Sequence, residues 1–230
     1  MQIKGFQKTS LIDYPGNICS IIFLSGCNFR CNYCYNPELV LDEKLPEIKE
    51  KEVLKTLEER KKFIDGVTIT GGEPTIHKEL PILIKKIKKI GLLIKIDTNG
   101  TNPEMLNYLI KNKLIDFIAM DIKNVFEKYK ETANVNVNIN KIKESVKIIK
   151  ESGIEHEFRT TVLPRLHIQE DIIKIAKELK DAKKYVLQQF FPAEKMLDKN
   201  FIKEKTYSEK ELEGIRAECN RHIKTEIRNI

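Results

Sequence analysis

Short apolar runs alternate with amphipathic stretches along most of the chain. Residues 18–24 form a continuous apolar run rich in β-branched side chains, which is typical of a strand buried on both faces. Residues 47–63 then carry apolar side chains at helical spacing. The alternation continues and predicts five further strands and four further helices, at 66–70, 92–97, 116–122, 155–163 and 185–191 and at 79–90, 103–112, 139–152 and 169–179.

Six strands that alternate with helices predict an α/β fold with a parallel sheet and right-handed crossovers. Six strands are too few to close an eight-stranded barrel. The whole chain, residues 1–230, is expected to form one domain, in which 1–17 are an extended lead-in. The charged tail 192–230 contains one predicted helix, 208–225, which begins with the spacing of a capping box.

Composition describes a soluble globular protein, with 41% hydrophobic and 33% charged residues. No apolar run is long enough to span a membrane, and the first residues lack the apolar core of a signal peptide. We therefore expect a cytoplasmic protein without a membrane partner. The net charge of +7 is a small difference between 41 basic and 34 acidic residues, and we assign it to solvated helix faces rather than a nucleic-acid site.

Three cysteines lie in one short loop after the first predicted strand, at Cys27, Cys31 and Cys34. Their spacing lets all three thiols point into a single concavity. Three thiolates can hold three irons of a four-iron cluster and leave one iron open, as a catalytic zinc keeps one open position. A structural zinc would need a nearby histidine, and the next one downstream is His77. A disulfide would leave one of the three thiols unpaired.

The other two cysteines lie apart from this loop. Cys19 falls within the first apolar run and is interpreted as a core residue, since buried thiols behave as small hydrophobic groups. Cys219 lies on the predicted C-terminal helix and is taken as structural. Five cysteines are too few to ligate a second cluster that needs three or four thiolates.

Polar residues follow the predicted strands, where α/β folds place their chemistry. The second strand ends in a glycine pair, which permits close backbone approach, and Glu73 beyond it can accept hydrogen bonds from an ammonium group. Arg159 could bind a carboxylate through two hydrogen bonds. Gln188 and Gln189 are polar neighbours in an otherwise apolar strand, and the four histidines show no ligand spacing. The irregular segment 123–138 is either a connecting loop or a rim that touches a partner.

The arrangement Cys-x3-Cys-x-aromatic-Cys, in which Tyr33 is the aromatic residue, resembles the motif of the radical S-adenosylmethionine (SAM) enzymes. The resemblance implies a partial (β/α)6 TIM-like barrel and a 4Fe–4S cluster ligated by the three loop cysteines, with SAM on the open iron. Tyr33 would then contact the adenine. The motif Gly71-Gly72-Glu73-Pro74 would contact the methionine amino group.

Within that superfamily the chain resembles the activases of glycyl-radical enzymes, and most of all those of anaerobic ribonucleoside-triphosphate reductase. The resemblance rests on segments 8–16, 27–38, 97–100 and 188–190. One departure is Tyr35, where relatives often have histidine. The resemblance implies that the SAM site also involves Asp97, Thr98, Asp121 and Lys123, with a monovalent cation in some members. Arg159 is added as a partner for the SAM carboxylate.

The implied activity is a reductive cleavage of SAM with an electron from a donor such as flavodoxin or ferredoxin. The resulting 5′-deoxyadenosyl radical would remove a hydrogen from one glycine of a partner glycyl-radical enzyme. Two alternatives remain at this point. One is a radical SAM enzyme that acts on a small molecule such as a deazapurine precursor. The other is a non-catalytic zinc or iron–sulfur binding module.

Overall fold

The computed structural model describes residues 1–41 and 45–228, which form an eight-stranded sheet whose spatial order follows the chain order. The first two strands are antiparallel, and each later strand is parallel to its predecessor. The described sheet has two edges and is therefore open. Its strands are β1 Ile3–Ser10, β2 Cys19–Leu24, β3 Gly66–Gly71, β4 Leu93–Thr98, β5 Phe117–Asp121, β6 Glu155–Val162, β7 Tyr185–Gln189 and β8 Thr225–Arg228.

Helices join the strands and cover one face of the sheet. All the longer predicted helices are confirmed, with ends that shift by a few residues. The described helices are α1 Pro37–Leu41, α2 Glu50–Arg60, α3 Leu80–Ile90, α4 Pro103–Lys111, α5 Tyr129–Ala133, α6 Ile139–Glu151, α7 Gln169–Glu178 and α8 Glu209–Cys219. Segment 123–138, predicted to be irregular, contains α5 and the 3₁₀ turn Phe126–Lys128.

The six predicted strands correspond to β2 through β7, and both edge strands were missed. The lead-in forms β1, and the helix predicted at 208–225 ends at Cys219, so that Thr225 begins β8. Both edge segments contain few apolar residues, so their sequences alone do not indicate strands. They form strands because a neighbouring strand supplies their hydrogen bonds. The capping box of Ser208 and Glu211 is confirmed. The last two residues of the predicted tail lie outside the described range.

The two faces of the sheet are filled differently. Ile22, Ile69 and Phe158 are fully buried on the face that packs against the helices. Alternate residues point to the inner, concave face. There Cys19 and Phe117 belong to a small apolar cluster at the amino ends of their strands. The concave face is therefore plugged at one end, and its polar residues lie towards the carboxyl ends.

Among the described residues, no helix combines the length and the apolar character needed to cross a lipid bilayer.

Candidate cofactor site

A cavity of about 390 Å³ opens at the carboxyl ends of the strands. It brings together every predicted site residue except Pro74, which is buried at the start of the 3₁₀ turn Pro74–Ile76. The predicted residues in its wall are Cys27, Cys31, Tyr33, Cys34, Gly71, Gly72, Glu73, Asp97, Thr98, Asp121, Lys123 and Arg159. Residues from five separate loops and strand ends thus converge on one volume of a size that suits a cofactor.

A larger cavity, of about 690 Å³, lies between α6 and α7 on the outer side of the sheet. Its wall combines lysines such as Lys143 with acidic residues such as Glu178 over an apolar floor. It contains no cysteine and no strand-end glycine pair. Its residues offer no chemistry beyond solvated charge, so the smaller cavity is the candidate site.

The cysteine loop, residues 25–36, connects β2 to α1 and carries the three thiols on the cavity wall. The Arg30 guanidinium donates to the backbone oxygens of Cys27, at 2.6 Å, and of Phe29, at 2.8 Å. The Phe29 amide donates to Cys27 Sγ at 3.4 Å. These bonds close residues 27–30 into a tight turn. The three thiols of the loop lie on the cavity side.

The thiols fit an iron–sulfur cluster better than a single ion. Among the residues that the structure describes, no three His, Cys, Asp or Glu side chains form a site for one metal ion. A single zinc needs all its ligands at about 2.3 Å or less from one point, whereas each cysteine of a cluster binds a different iron. The five cysteines of the chain are free thiols. Among the described residues, a zinc ion thus lacks a convergent set of ligands, and no two cysteines form a disulfide.

Burial alone disfavours ionisation of these thiols. It raises the pKa of Cys27 to about 12 and that of Cys31 to about 11, although Lys123 opposes both shifts. A thiolate in this loop therefore needs a bound cation, and iron would supply that charge.

The glycine pair at the end of β3 holds the cysteine loop at close range. The Gly72 amide donates to Leu24 O at 2.9 Å, and the Glu73 amide donates to Gly26 O at 2.8 Å. A Cβ atom on Gly72 would lie 1.8 Å from Gly26 O, which no side chain can tolerate. The close backbone approach predicted for this pair is thus present, and its partner is the start of the cysteine loop.

Glu73 links the end of β3 to the end of β4 through hydrogen bonds. Its carboxylate accepts hydrogen bonds from Thr98 Oγ1 at 2.8 Å, from the Asn99 amide at 2.6 Å, and from both the amide and the hydroxyl of Thr75. Burial raises the pKa of Glu73, and these four bonds oppose that shift. The contact of Glu73 with an ammonium group stays a prediction, since its oxygens already have four protein donors.

Strand ends β4, β5 and β6 carry a charged network on the cavity floor. Arg159 donates to Asp121 at 2.9 Å and to Asp97 at 3.3 Å. Lys123 donates to the other oxygen of Asp121 at 2.9 Å, and Lys95 donates to the other oxygen of Asp97. Although burial opposes ionisation, Arg159 and Lys123 lower the pKa of Asp121 to about 2. Arg159 is therefore held by two protein carboxylates, and its contact with the SAM carboxylate stays a prediction.

Two buried polar atoms in the cavity wall have no hydrogen-bond partner within the described chain, the Tyr33 hydroxyl and Gln189 Oε1. The Tyr33 ring packs against Phe190 and Phe201, with centroids 6.5 Å away in each case. The Gln189 amide nitrogen donates to Tyr207 O at 2.5 Å. Buried polar atoms are nearly always paired, so these two indicate a ligand with hydrogen-bonding groups.

The C-terminal tail supports the cysteine loop from outside. The amides of Leu197 and Asp198 donate to the backbone oxygens of Cys34, at 3.2 Å, and of Asn32, at 2.9 Å. Tyr35, the residue that departs from the family pattern, accepts a hydrogen bond from the Phe191 amide at 3.0 Å. The tail thus binds the loop through backbone hydrogen bonds, and no side-chain motif in the sequence predicts such bonds.

Segment 123–138 also touches the cysteine loop. The Arg30 amide donates to Ala133 O at 2.9 Å, and the Asn134 side chain donates to that of Asn32 at 2.9 Å. The segment is therefore more than a plain connection, because it forms part of the wall that positions the thiols.

Sequence reasoning missed several residues of this site. Lys95 is 2% exposed. A single lysine between two isoleucines in a predicted buried strand could have indicated a buried charge. Thr161 also lines the cavity from β6, and nothing in the sequence marked it. His167 does not line the cavity; it is fully buried, and its Nε2 lies 2.8 Å from Lys123 O. It positions the loop that carries Lys123.

Comparison with known proteins agrees with this geometry. Residues 21–179 match the family model described as the radical SAM superfamily. A Methanocaldococcus jannaschii protein named as a candidate glycyl-radical enzyme activating enzyme is 38% identical over 96% of this chain and 92% of its own length. The pyruvate formate-lyase-activating enzyme of Clostridium pasteurianum is 33% identical over 54% of this chain and 53% of its own.

Among solved structures, Streptococcus suis SuiB bound to S-adenosylmethionine matches with a TM-score of 0.69. The match covers 91% of this chain and 52% of that one, at 17% sequence identity. A likeness at this level of identity shows the fold alone.

Proposed function

Because the chain belongs to the radical SAM superfamily, we propose that it activates a glycyl-radical enzyme, of the anaerobic ribonucleotide reductase type. In this proposal all 230 residues serve one radical SAM domain. The observation that carries it is the convergence of the cysteine loop, the glycine pair and the charged strand ends on one cavity. The partner class is supported by the relative that matches 96% of the chain.

The three loop cysteines would hold a 4Fe–4S cluster. When bound, such a cluster and SAM supply a one-electron reductive cleavage that ends in removal of a glycine Cα hydrogen. The protein's own task is to place the reacting groups and keep water away. Gly72 keeps the cysteine loop against β3, and Arg30 fixes the curl of that loop.

The cavity offers different walls to the two ends of SAM. The charged floor of Asp97, Asp121 and Lys123 suits the amino and carboxylate groups of the methionine end. The Tyr33 hydroxyl and Gln189 Oε1 suit the adenine end, since an exocyclic amine can donate to both of these unpaired oxygens. Lys123, with 16% of its side chain exposed, is the cation best placed for the carboxylate.

The open sheet gives a protein substrate a way in. β1 and β8 lie at opposite edges, so the concave face is not sealed by strand pairing between them. A loop that bears the target glycine can enter from this side more readily than it could enter a closed barrel.

Spin resonance tests the proposal. Anaerobically reconstituted protein is mixed with SAM, a reductant such as reduced flavodoxin, and an anaerobic ribonucleotide reductase. The expected result is a glycyl-radical doublet on the reductase and one methionine released for each radical formed. Turnover of a small deazapurine precursor without any doublet would contradict the proposal. A protein that binds metal but never cleaves SAM would support the non-catalytic alternative.

A further inference from the structure

The resemblance implies a monovalent cation in some members, but in this chain Asp97 and Asp121 are already paired with basic side chains. All four carboxylate oxygens of Asp97 and Asp121 already have a cationic partner from the chain. Asp97 uses one oxygen for Lys95 and the other for Arg159, at 3.3 Å. Asp121 uses one oxygen for Arg159 and the other for Lys123, each at 2.9 Å. An inorganic cation bound here would have to share a carboxylate oxygen with Lys95, Arg159 or Lys123.

The charge balance of this network and the burial of Lys95 also argue against an inorganic cation at this position. Two carboxylates face three basic side chains, so the charges of Asp97 and Asp121 are already balanced without an inorganic cation. The side chain of Lys95 is only 2% exposed and that of Asp97 only 16%. A lysine at this depth is stable only beside an anion, and Asp97 is that anion.

We infer that the Lys95 ammonium group occupies the place of an inorganic monovalent cation in this chain, so that SAM binding is independent of sodium and potassium. The inference rests on the proposed SAM site. It concerns the charge balance of that site rather than the reaction itself. Lys95 is thus a positioning residue: it keeps Asp97 and, through Arg159, Asp121 in place beside the ligand.

Binding of SAM to the reconstituted wild-type protein tests the inference, measured by equilibrium dialysis. Potassium chloride, sodium chloride and choline chloride are compared at equal ionic strength. The expected result is the same affinity in all three salts. Affinity that collapses in choline chloride and returns with potassium or sodium would overturn the inference. If the protein binds no SAM in any salt, the proposed function fails, and the inference fails with it.

Substitution of Lys95 gives the converse test. Lys95→Met should lower the affinity for SAM in choline chloride by roughly tenfold or more, because a buried carboxylate loses its partner. Potassium or sodium should restore the affinity, since the vacated position then accepts an ion. The double variant Lys95→Met, Asp97→Asn should respond to neither ion. An equal loss for Lys95→Met in all salts would overturn the inference.

A matched control keeps the variant interpretable. Lys88 forms a similar ion pair with Asp116, at 2.8 Å, and neither residue lines the cavity. Lys88→Met should therefore leave SAM affinity unchanged in every salt. Should Lys95→Met fail to fold, the comparison of salts on the wild-type protein still decides the question.

Discussion

The cysteine loop and the charged strand ends share one cavity but are built in opposite ways. Asp97 and Asp121 lie near the carboxyl ends of the parallel strands β4 and β5, and the register of β5 with β6 places Arg159 opposite Asp121. The cysteine loop has no regular secondary structure and is held by bonds from β3, segment 123–138 and the C-terminal tail. The strand ends are positioned by neighbouring strands of the sheet, whereas the loop also depends on residues more than a hundred positions away, in segment 123–138 and the tail.

This difference predicts which substitutions affect ligand binding and which affect iron binding. A change in the network should alter charge and ligand affinity while the fold stays intact. A change in the supports of the cysteine loop should alter iron binding even when no ligand is touched. The four predictions below separate these two kinds of damage, in order of decreasing effect.

Cys31→Ala should remove the iron site entirely. Reconstituted wild-type protein is expected to hold about four irons per chain, and the variant close to none, because two thiolates cannot retain the cluster. Iron and sulfide analysis measures the effect, and SAM cleavage should be lost with the iron. Cys219→Ala is the control, since Cys219 is buried on α8, away from the cavity, and iron content should not change. Equal iron in both variants would contradict the assignment of the loop.

Gly72→Ala should damage the loop without touching a thiol. The added Cβ would lie 1.8 Å from Gly26 O, so the backbone must shift, at a cost of about 3 kcal/mol. Urea unfolding measures this cost, and iron content should fall as well. Gly214→Ala is the matched control, because Gly214 lies in α8 with open space around it. That change should stabilise the protein by about 1 kcal/mol, since alanine favours the helix.

Asp121→Asn should affect the network with a defined pH dependence. The pKa of Asp121 is lowered from 3.8 to about 2, so its ionised form stabilises the folded state above pH 3.8. The stabilisation is about 2 kcal/mol and is lost as pH falls through the folded-state value. The free energies of unfolding of wild type and variant should therefore differ near pH 5 and converge near pH 2.

The control for this pH profile is Glu144→Gln, which changes an exposed carboxyl on α6. Its unfolding free energy should follow that of the wild type throughout. A constant difference between wild type and Asp121→Asn at every pH would show that shape rather than charge carries the effect.

Tyr35→Phe should give the smallest effect. It removes the acceptor of the Phe191 amide and costs about 1 kcal/mol or less, because that amide is partly exposed to water. Unfolding free energy is the measurement, with Tyr108→Phe, an exposed tyrosine of α4, as the control expected to show no change. A loss of iron in Tyr35→Phe would mean that the hydrogen bond from Phe191 contributes more to the position of the loop than its exposure suggests.

Sequence reasoning reached the six central strands, since apolar runs alternate with helices along the chain, and it reached twelve of the residues in the cavity wall. It missed β1 and β8, whose residues are stabilised by a neighbouring strand rather than by their own pattern. It also missed Lys95, although its anionic partner Asp97 lies only two positions further along the same strand, on the same face of the sheet. The bonds from Leu197 and Asp198 to the cysteine loop join backbone atoms, which a sequence pattern cannot show.

The support of the cysteine loop by the tail has a consequence for biosynthesis. A ribosome makes the thiols within the first 34 residues, but the amides that brace them belong to residues 197 and 198. On a nascent chain the thiols are thus available to oxidants and stray metals long before their enclosure exists. Iron delivery to this protein is best suited to the released, folded polypeptide, after synthesis is complete.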